Sequence, residues 1–496
     1  MTNFYRFFLS IIAFLILANL LVMNDVATVW SGAEAYNLQL ATVQNSAQSF
    51  VQQVFAGISM TVDTNPFYAR SVSVFIALFG GLAFFALGQK IFGKGTTLAT
   101  ILIAASSLGL IHLGKVATSD IWTATLHTLM VLTQIRYLKQ PKVQWQTWHA
   151  IFLTLAILAT PITTLLFTFL VSAFLITQHP QGRRSVQLYQ WILLPVVLVI
   201  MAYLLGYSFQ TIDSYLVPPT PNRSFFTFYG VALIGTLPWI GFVAAGLWQT
   251  FTRFRKKEEF ATLMTAWLLG ALLLKSFSVL WLFAILAAKQ LENFQLKNFP
   301  KSNENIIKTF SILNLIFAFC GAIYLMLNSY YIFEAAGFRS AMFTGAVYWM
   351  PLLFGVIGLY GKNDLMIRSG FATAGVLVTL TFWFKTYPLL ENQRNLPQRV
   401  IQTAIGKESR IIDKLILSGE VNNRVNLWYY AQKSGLNVQP ITTDDVKQLY
   451  SERGAGILIL SEDDYQILKT AVADLNAEAV KGWTESGEVE TYWVIK

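Results

Sequence analysis

The sequence predicts a polytopic α-helical membrane protein of about 13 transmembrane helices, closed by a small C-terminal α/β domain on the outer side. Three observations carry that prediction. Of 496 residues, 55% are hydrophobic and 12% charged, about half the charge of a typical soluble chain. Apolar runs that approach the thickness of a bilayer recur from Phe4 to Phe384. After Pro388 the composition turns polar and the long apolar runs stop. An ordinary soluble enzyme and a disordered chain are both excluded.

The first run, Phe4 to Met23, carries only Arg6, and no small-x-small cleavage site follows it. It reads as an uncleaved first helix. Further runs lie near Ser71–Leu87, Thr96–Leu113, Ile121–Ile135, His149–Leu158, Ile162–Ile176 and Trp191–Tyr207. The rest are Tyr229–Trp248, Ala261–Leu274, Ser276–Ala288, Phe310–Leu327, Ala341–Tyr360 and Gly370–Phe384.

Charge tests this count. From Pro397 to Lys496 there are 11 basic and 14 acidic residues, which leaves 25 basic and 12 acidic in the first 396. With the N-terminus in the cytoplasm and alternating spans, 18 of those 25 cations fall on the cytoplasmic side. They include Lys90, Lys94, Arg136, Lys139, Lys142, Arg183, Arg184, Arg253, Arg255 and Lys289. The outer side keeps Arg70, Lys115, Arg223, Lys275, Arg339, Lys385 and Arg394. This positive-inside bias supports a multi-pass protein of a cell (inner) membrane whose C-terminal segment lies outside. It also explains the net charge of +10 without a nucleic-acid partner. The lone Cys320 permits no intrachain disulfide and no cysteine metal site.

Two domains follow. Residues 1–388 form the transmembrane part, with a first outer loop at 24–70 that holds an amphipathic stretch around Ala41–Phe55. Residues 389–496 form the outer domain. In it Val425–Ser434, Thr443–Ser451 and Glu462–Leu475 read as helices. Asn437–Pro440, Gly456–Leu460 and Val489–Ile495 read as strands, and Glu408–Ser418 is mixed. No Gly-rich phosphate loop or Walker motif accompanies them, so ATP-driven transport is unsupported.

Candidate chemistry sits among the outer-side charges. Glu34 lies in Trp30-Ser31-Gly32-Ala33-Glu34-Ala35-Tyr36, and Asp120 ends Lys115-Val116-Ala117-Thr118-Ser119-Asp120 just before an apolar run. Two readings stand. Asp120 caps a helix and Glu34 is a surface charge, or the two carboxylates converge at the outer face, where one serves as general base. His112 and His127 lie near or within spans and read as packed side chains rather than metal ligands.

The order of these motifs resembles the GT-C superfamily of integral-membrane glycosyltransferases, in its protein O-mannosyltransferase and lipid A aminoarabinose transferase branch. Four features carry the resemblance. They are the acidic outer-loop motif Ala33-Glu34-Ala35-Tyr36, and Arg70 leading a span that exits through Leu87-Gly88-Gln89-Lys90-Ile91-Phe92-Gly93. The others are Lys115 to Asp120 before the fourth span, and the overall layout. The resemblance implies a GT-C-like fold and inverting transfer of a sugar from a polyprenyl-phosphate donor to a cell-envelope acceptor at the outer face. It implies catalytic roles for Glu34 and Asp120. Donor binding would fall to Lys115, Arg70, Lys275, Arg223, Arg339 and Tyr36. The bland alternatives are that Lys275 snorkels to the interface and that Arg70 anchors its helix. No motif demands a cofactor, and a divalent metal is compatible with the pattern. Two departures are plain. Ala33 stands where the family usually has Asp, and Leu158-Ala159-Thr160-Pro161 stands where it has a basic residue. Two other functions fit a chain of this layout. A lipid-linked glycan flippase would show a repeat between halves and charges at mid-span, and neither is seen. An inactive GT-C-like scaffold would follow from Ala33.

Overall fold

The computed structural model describes residues 66–189, 225–296, 299–387 and 396–406 and most of 415–495, with 16–18 and 20 near the N-terminus. Arg70–Thr386 belong to one compact unit and Tyr387–Lys496 to a second.

The first unit is helical. Its elements are α1 (Pro66–Phe92), α2 (Lys94–Ser106), α3 (Leu108–Lys115), α4 (Asp120–Lys139), α5 (Val143–Ala159), α6 (Pro161–Gln178) and α7 (Arg184–Tyr189). They continue as α8 (Phe225–Ile234), α9 (Ile240–Arg255), α10 (Glu259–Leu273) and α11 (Ser278–Asn293). Then come α12 (Lys301–Tyr330) and α13 (Glu334–Tyr360). Finally α14 (Asp364–Thr381) runs into a π-helical turn, Phe382–Thr386. Glu334, at φ 53° and ψ −139°, separates α12 from α13.

Among the described residues, four helices are long and apolar enough to cross a membrane, and α2 with α3 makes a fifth if a bent pair is one span. Other runs expected as spans form shorter helices, such as α5 at 17 residues and α10 at 15. At about 1.5 Å per residue these fall short of a bilayer core of about 30 Å. The runs Phe4–Met23 and Trp191–Tyr207 lie mostly outside the described residues.

One expected span, Thr96–Leu113, is broken. α2 and α3 meet at a 66° bend, and Ser107 at the joint is extended (φ −87°, ψ 139°). A break in an apolar environment frees backbone groups that need partners. Here Leu108 N–H donates to Leu237 O (3.2 Å) and Gly109 N–H to Gly235 O (3.0 Å). Ser106 and Ser107 hydroxyls donate back to Leu102 O and Ile103 O, both at 2.6 Å. The Trp239 indole N–H donates to Ser106 Oγ at 2.9 Å, from a ring that is wholly buried. Glycine makes the approach possible. A Cβ on Gly109 would lie 2.9 Å from the Gly235 Cα, and one on Gly375 of α14 would collide with the Ser106 carbonyl. α3 then packs against α1 through Val74 and Ile111, with Leu20.

The second unit holds a five-stranded sheet of β1 (Leu415–Leu417), β2 (Val438–Gln439), β3 (Ile457–Leu460), β4 (Ala477–Trp483) and β5 (Val489–Ile495), in the order β2-β1-β3-β5-β4. β2, β1 and β3 are parallel, and β5 and β4 add antiparallel. Around it lie α15 (Leu396–Ile405), α16 (Val425–Lys433), α17 (Val446–Glu452) and α18 (Glu462–Ala471). Every side chain of β1 and β3 is buried, as a central parallel strand requires. Ser461 caps α18 by accepting from Asp464 N–H (3.2 Å), and three acids fill the first turn, where the helix dipole favours them. Trp493 of β5 stacks on Tyr465 at 3.7 Å and donates to Glu462 at 2.7 Å.

The details differ from expectation at four points. α15 and β4 were not expected, β1 lies in the stretch read as mixed, and α18 stops at Ala471 because Val472 is extended (φ −128°, ψ 114°).

Two outcomes follow. Gly375→Ala should destabilise the helical unit by about 1–3 kcal/mol, as overpacking does. Gly81→Ala, where no atom lies within 4 Å of the added Cβ, should not, and thermal denaturation in detergent compares them. Hydrogen bonds from Gln466, then Trp493, hold the Glu462 carboxyl below its ordinary range. Its contribution is therefore complete above the unfolded pKa of about 4.3 and fades as pH falls through the lowered folded value. Hydrogen exchange across α18 should show that acid loss in the wild type and a weaker one in Glu462→Gln.

Candidate functional site

Arg70 enters the bundle in the second turn of α1 and is fully buried. Lys115 closes α3 and is fully buried too. The bend at Ser107 sets the direction of α3 and so delivers Lys115. The two cations lie within Coulombic range of each other, although 45 positions separate them in the chain. The Lys115 ammonium stands 4.8 Å from the centroid of the Trp383 ring, a cation–π distance. The His112 ring, one helical turn before Lys115, lies nearly parallel to Trp383 at 5.9 Å.

Trp383 is 2% exposed. It is presented by the π-helical turn after α14, and that turn is pinned through Thr386. The Thr386 hydroxyl meets Ser340 at 3.3 Å and Thr344 at 3.1 Å, both from α13. A π-turn of this kind re-aims side chains within a helix and recurs at functional sites.

Asp120 is the first residue of α4. Its Oδ2 accepts from Thr118 Oγ1 at 3.4 Å, in a short turn closed by Thr118 N–H to Val116 O (2.9 Å). The carboxylate thus sits at the positive end of the dipole of a 20-residue helix. It is one turn of chain from Lys115.

Lys275 occupies the turn between α10 and α11 at φ 51°, with an exposed side chain. Beneath it lies a polar network that sequence reading did not resolve. His127 of α4 has Nδ1 3.0 Å from Ser276 Oγ and Nε2 3.0 Å from Thr164 Oγ1, and stacks on Phe167 at 4.4 Å. Thr164 donates to Ala156 O at 2.9 Å, so it accepts from the His127 Nε2–H. Ser276 and Ser278 hydroxyls are 3.1 Å apart, and Trp267 Nε1 donates to Ser278 at 3.2 Å. One buried imidazole thereby joins α4, α6 and the α10–α11 turn.

The structure thus brings Arg70 to Lys115 and Lys115 to Trp383, and Asp120 follows that end of α3 by one short turn. Arg339 is exposed on α13, one residue before Ser340. Glu34, Tyr36 and Arg223 lie outside the described residues. No group of three or more His, Cys, Asp or Glu that would hold a metal occurs among the described residues. Trp383 and His112 are the additions to the expected set. The only sequence signal for the former is the aromatic Phe382-Trp383-Phe384 at the end of a span.

No protein-family model matches the sequence, nor does any curated protein. Solved structures do. The apo crystal structure of ArnT from Cupriavidus metallidurans matches with a TM-score of 0.69 at 14% identity, over 99% of this chain and 98% of that one. This chain has the ArnT fold. ArnT from the same organism bound to undecaprenyl phosphate matches with a TM-score of 0.66 at 13% identity, with the same coverage. The ArnT likeness runs through both compact units, so the resemblance to the aminoarabinose transferase branch holds at the level of fold. Within the ArnT fold, this chain puts two buried cations, an indole and a helix-start carboxylate at one end of the helical unit.

His127→Phe keeps the ring against Phe167 and removes both hydrogen bonds. The expected loss is about 1–2 kcal/mol, read by thermal denaturation of the purified protein in detergent.

Proposed function

We propose that the chain is an inverting glycosyltransferase of the GT-C type. It moves a sugar from a polyprenyl-phosphate donor to a cell-envelope acceptor at the outer face of a cell membrane. The observation that carries this reading is the buried pair Arg70 and Lys115 beside Trp383, in a chain that has the ArnT fold from end to end. Two adjacent buried like charges repel, and a phosphate between them converts that repulsion into attraction. The ArnT structure that holds undecaprenyl phosphate supports a lipid-linked phosphate as the ligand.

In this reading the N-terminus is cytoplasmic, residues 1–388 carry the membrane helices, and 389–496 form an extracytoplasmic domain. The acceptor hydroxyl attacks the anomeric carbon on the face opposite the phosphate. Its proton passes to a carboxylate, Glu34 or Asp120. The bond from the anomeric carbon to the phosphate oxygen breaks, and polyprenyl phosphate leaves with the electron pair. Arg70 and Lys115 hold the charge that develops on the leaving phosphate. Lys275, Arg223 and Arg339 are further cations for the donor, and Tyr36 belongs to the same substrate-binding set. With Ala33 in the neighbouring position, Glu34 serves alone or with Asp120.

The test is transfer from a panel of radiolabelled polyprenyl-phosphate sugars in proteoliposomes. Glu34→Gln and Asp120→Asn should lower the rate by about 10²–10⁴-fold in whichever residue is the base, with donor still bound. Lys115→Gln should weaken donor binding. A wild type that binds donor and transfers none of the sugars overturns the transferase reading and leaves the scaffold.

A further inference from the structure

The opposite end of the helical unit carries a second cationic cluster, built around Trp145. This residue lies near the start of α5 and is 5% exposed. Lys90, in the last turn of α1, places its ammonium 5.4 Å from the centroid of the Trp145 ring. Arg136, in the last turn of α4, places its guanidinium carbon 5.3 Å from the same centroid. Arg136 is also tied to α1, because its Nη1 donates to Lys90 O at 3.1 Å. Three helix ends therefore converge on one indole.

The side chains of the cluster are donors, and two of their buried N–H groups find no acceptor among the described residues. Arg136 Nε and Trp145 Nε1 are both buried and neither has a hydrogen-bond partner. Among the described residues, the ion pairs are Arg253–Glu258, Lys308–Glu304, Lys362–Glu304 and Arg368–Asp364, and none involves Lys90 or Arg136. The nearby polar side chains are already engaged with one another. Tyr137 donates to Gln187 at 2.9 Å and accepts from Gln146 at 2.8 Å. Buried donors of this kind are rare in folded proteins and point to a ligand. The ligand must supply several acceptor oxygens and negative charge, which is the chemistry of a phosphate.

The surroundings say which phosphate. Trp145 packs with Tyr137, Leu188 and Leu87, so the wall behind the cations is apolar. Val143 and Val186, on the flanking helices α5 and α7, are 70% and 51% exposed. Cations backed by an apolar cluster, on helices whose other faces carry exposed apolar residues such as Val143 and Val186, match a headgroup joined to acyl chains better than a free anion.

We propose that Lys90, Arg136 and Trp145 form a binding site for the phosphate of an anionic membrane lipid. The phosphodiester accepts from Arg136 Nε and Trp145 Nε1, and the Lys90 ammonium completes its neutralisation. The site is independent of the transferase reading, since none of its residues belongs to that machinery.

Native mass spectrometry of the full chain in detergent tests it, with equal amounts of phosphatidylglycerol and phosphatidylcholine added. The wild type should retain phosphatidylglycerol selectively. Lys90→Gln and Arg136→Gln should each weaken retention about tenfold, the scale of a lost charge-assisted hydrogen bond. Trp145→Phe keeps the ring and removes one donor, and should weaken it several-fold, by about the worth of one neutral hydrogen bond. Arg255→Gln is the control, because it removes an exposed cation that rests on Phe251 instead. Lys90 is itself exposed, so its variant remains informative if Arg136→Gln does not fold. Equal loss in Arg255→Gln would mean diffuse surface attraction and would overturn the site. Equal retention of both lipids, or unchanged retention in all three cluster variants, would overturn it too. Binding of added inorganic phosphate with no lipid retained would overturn the lipid assignment.

Discussion

A broken helix in an apolar environment must find partners for the backbone groups it frees, and the helical unit is arranged around one such break. At Ser107 the chain turns by 66°. The N–H groups of Leu108 and Gly109 are taken up by the segment before α9. Ser106 is held by the Trp239 indole and pressed against Gly375. These contacts bring α2, α3, α9 and α14 to one point. They also fix the direction of α3, and through it the position of Lys115. Because α14 reaches the same joint and continues into the Trp383 turn, both partners of the cation–π contact are set by one feature.

The two ends of the helical unit handle positive charge differently. At the Lys115 end, Arg70 and Lys115 are fully buried and the Lys115 ammonium faces the Trp383 ring, an expensive placement for charge. At the Lys90 end, the side chains are partly solvated and their charged groups lie over rings, as the Lys289 ammonium does over Phe260 at 3.5 Å. The first pattern concentrates positive charge in a buried setting, and the second spreads it over a partly solvated one.

Hydropathy made the helical class legible, because apolar runs and basic turns are properties of neighbouring residues. Local residue patterns did the same for α16, α18 and β3. The break at Ser107 was not legible, since two serines inside a run that stays apolar on average are no helix-break signal by themselves, and its cause lies in Gly235, Leu237 and Gly375. β1 escaped because three buried residues between polar neighbours carry no period. β4 escaped because Glu478 and Lys481 interrupt its alternation. At the site, Arg70, Lys115 and Asp120 were visible as charges out of place near spans. Their partners were not. Trp383 reads as one aromatic among many, and His127 gains its meaning only from Ser276 and Thr164, which lie 149 and 37 positions away.

The joint at Ser107 has a consequence for how this sequence can drift. It is made chiefly of main-chain atoms, with carbonyls of Gly235 and Leu237 on one side and amides of Leu108 and Gly109 on the other. A main-chain hydrogen bond is indifferent to which side chain its residue carries. Selection acting on the joint therefore constrains little beyond small size at Gly109, Gly235 and Gly375. The lipid-facing surfaces of α12 and α13 need only stay apolar. Most of the chain can change while the geometry that aims Lys115 persists, which suits a fold shared at 14% identity over nearly its whole length.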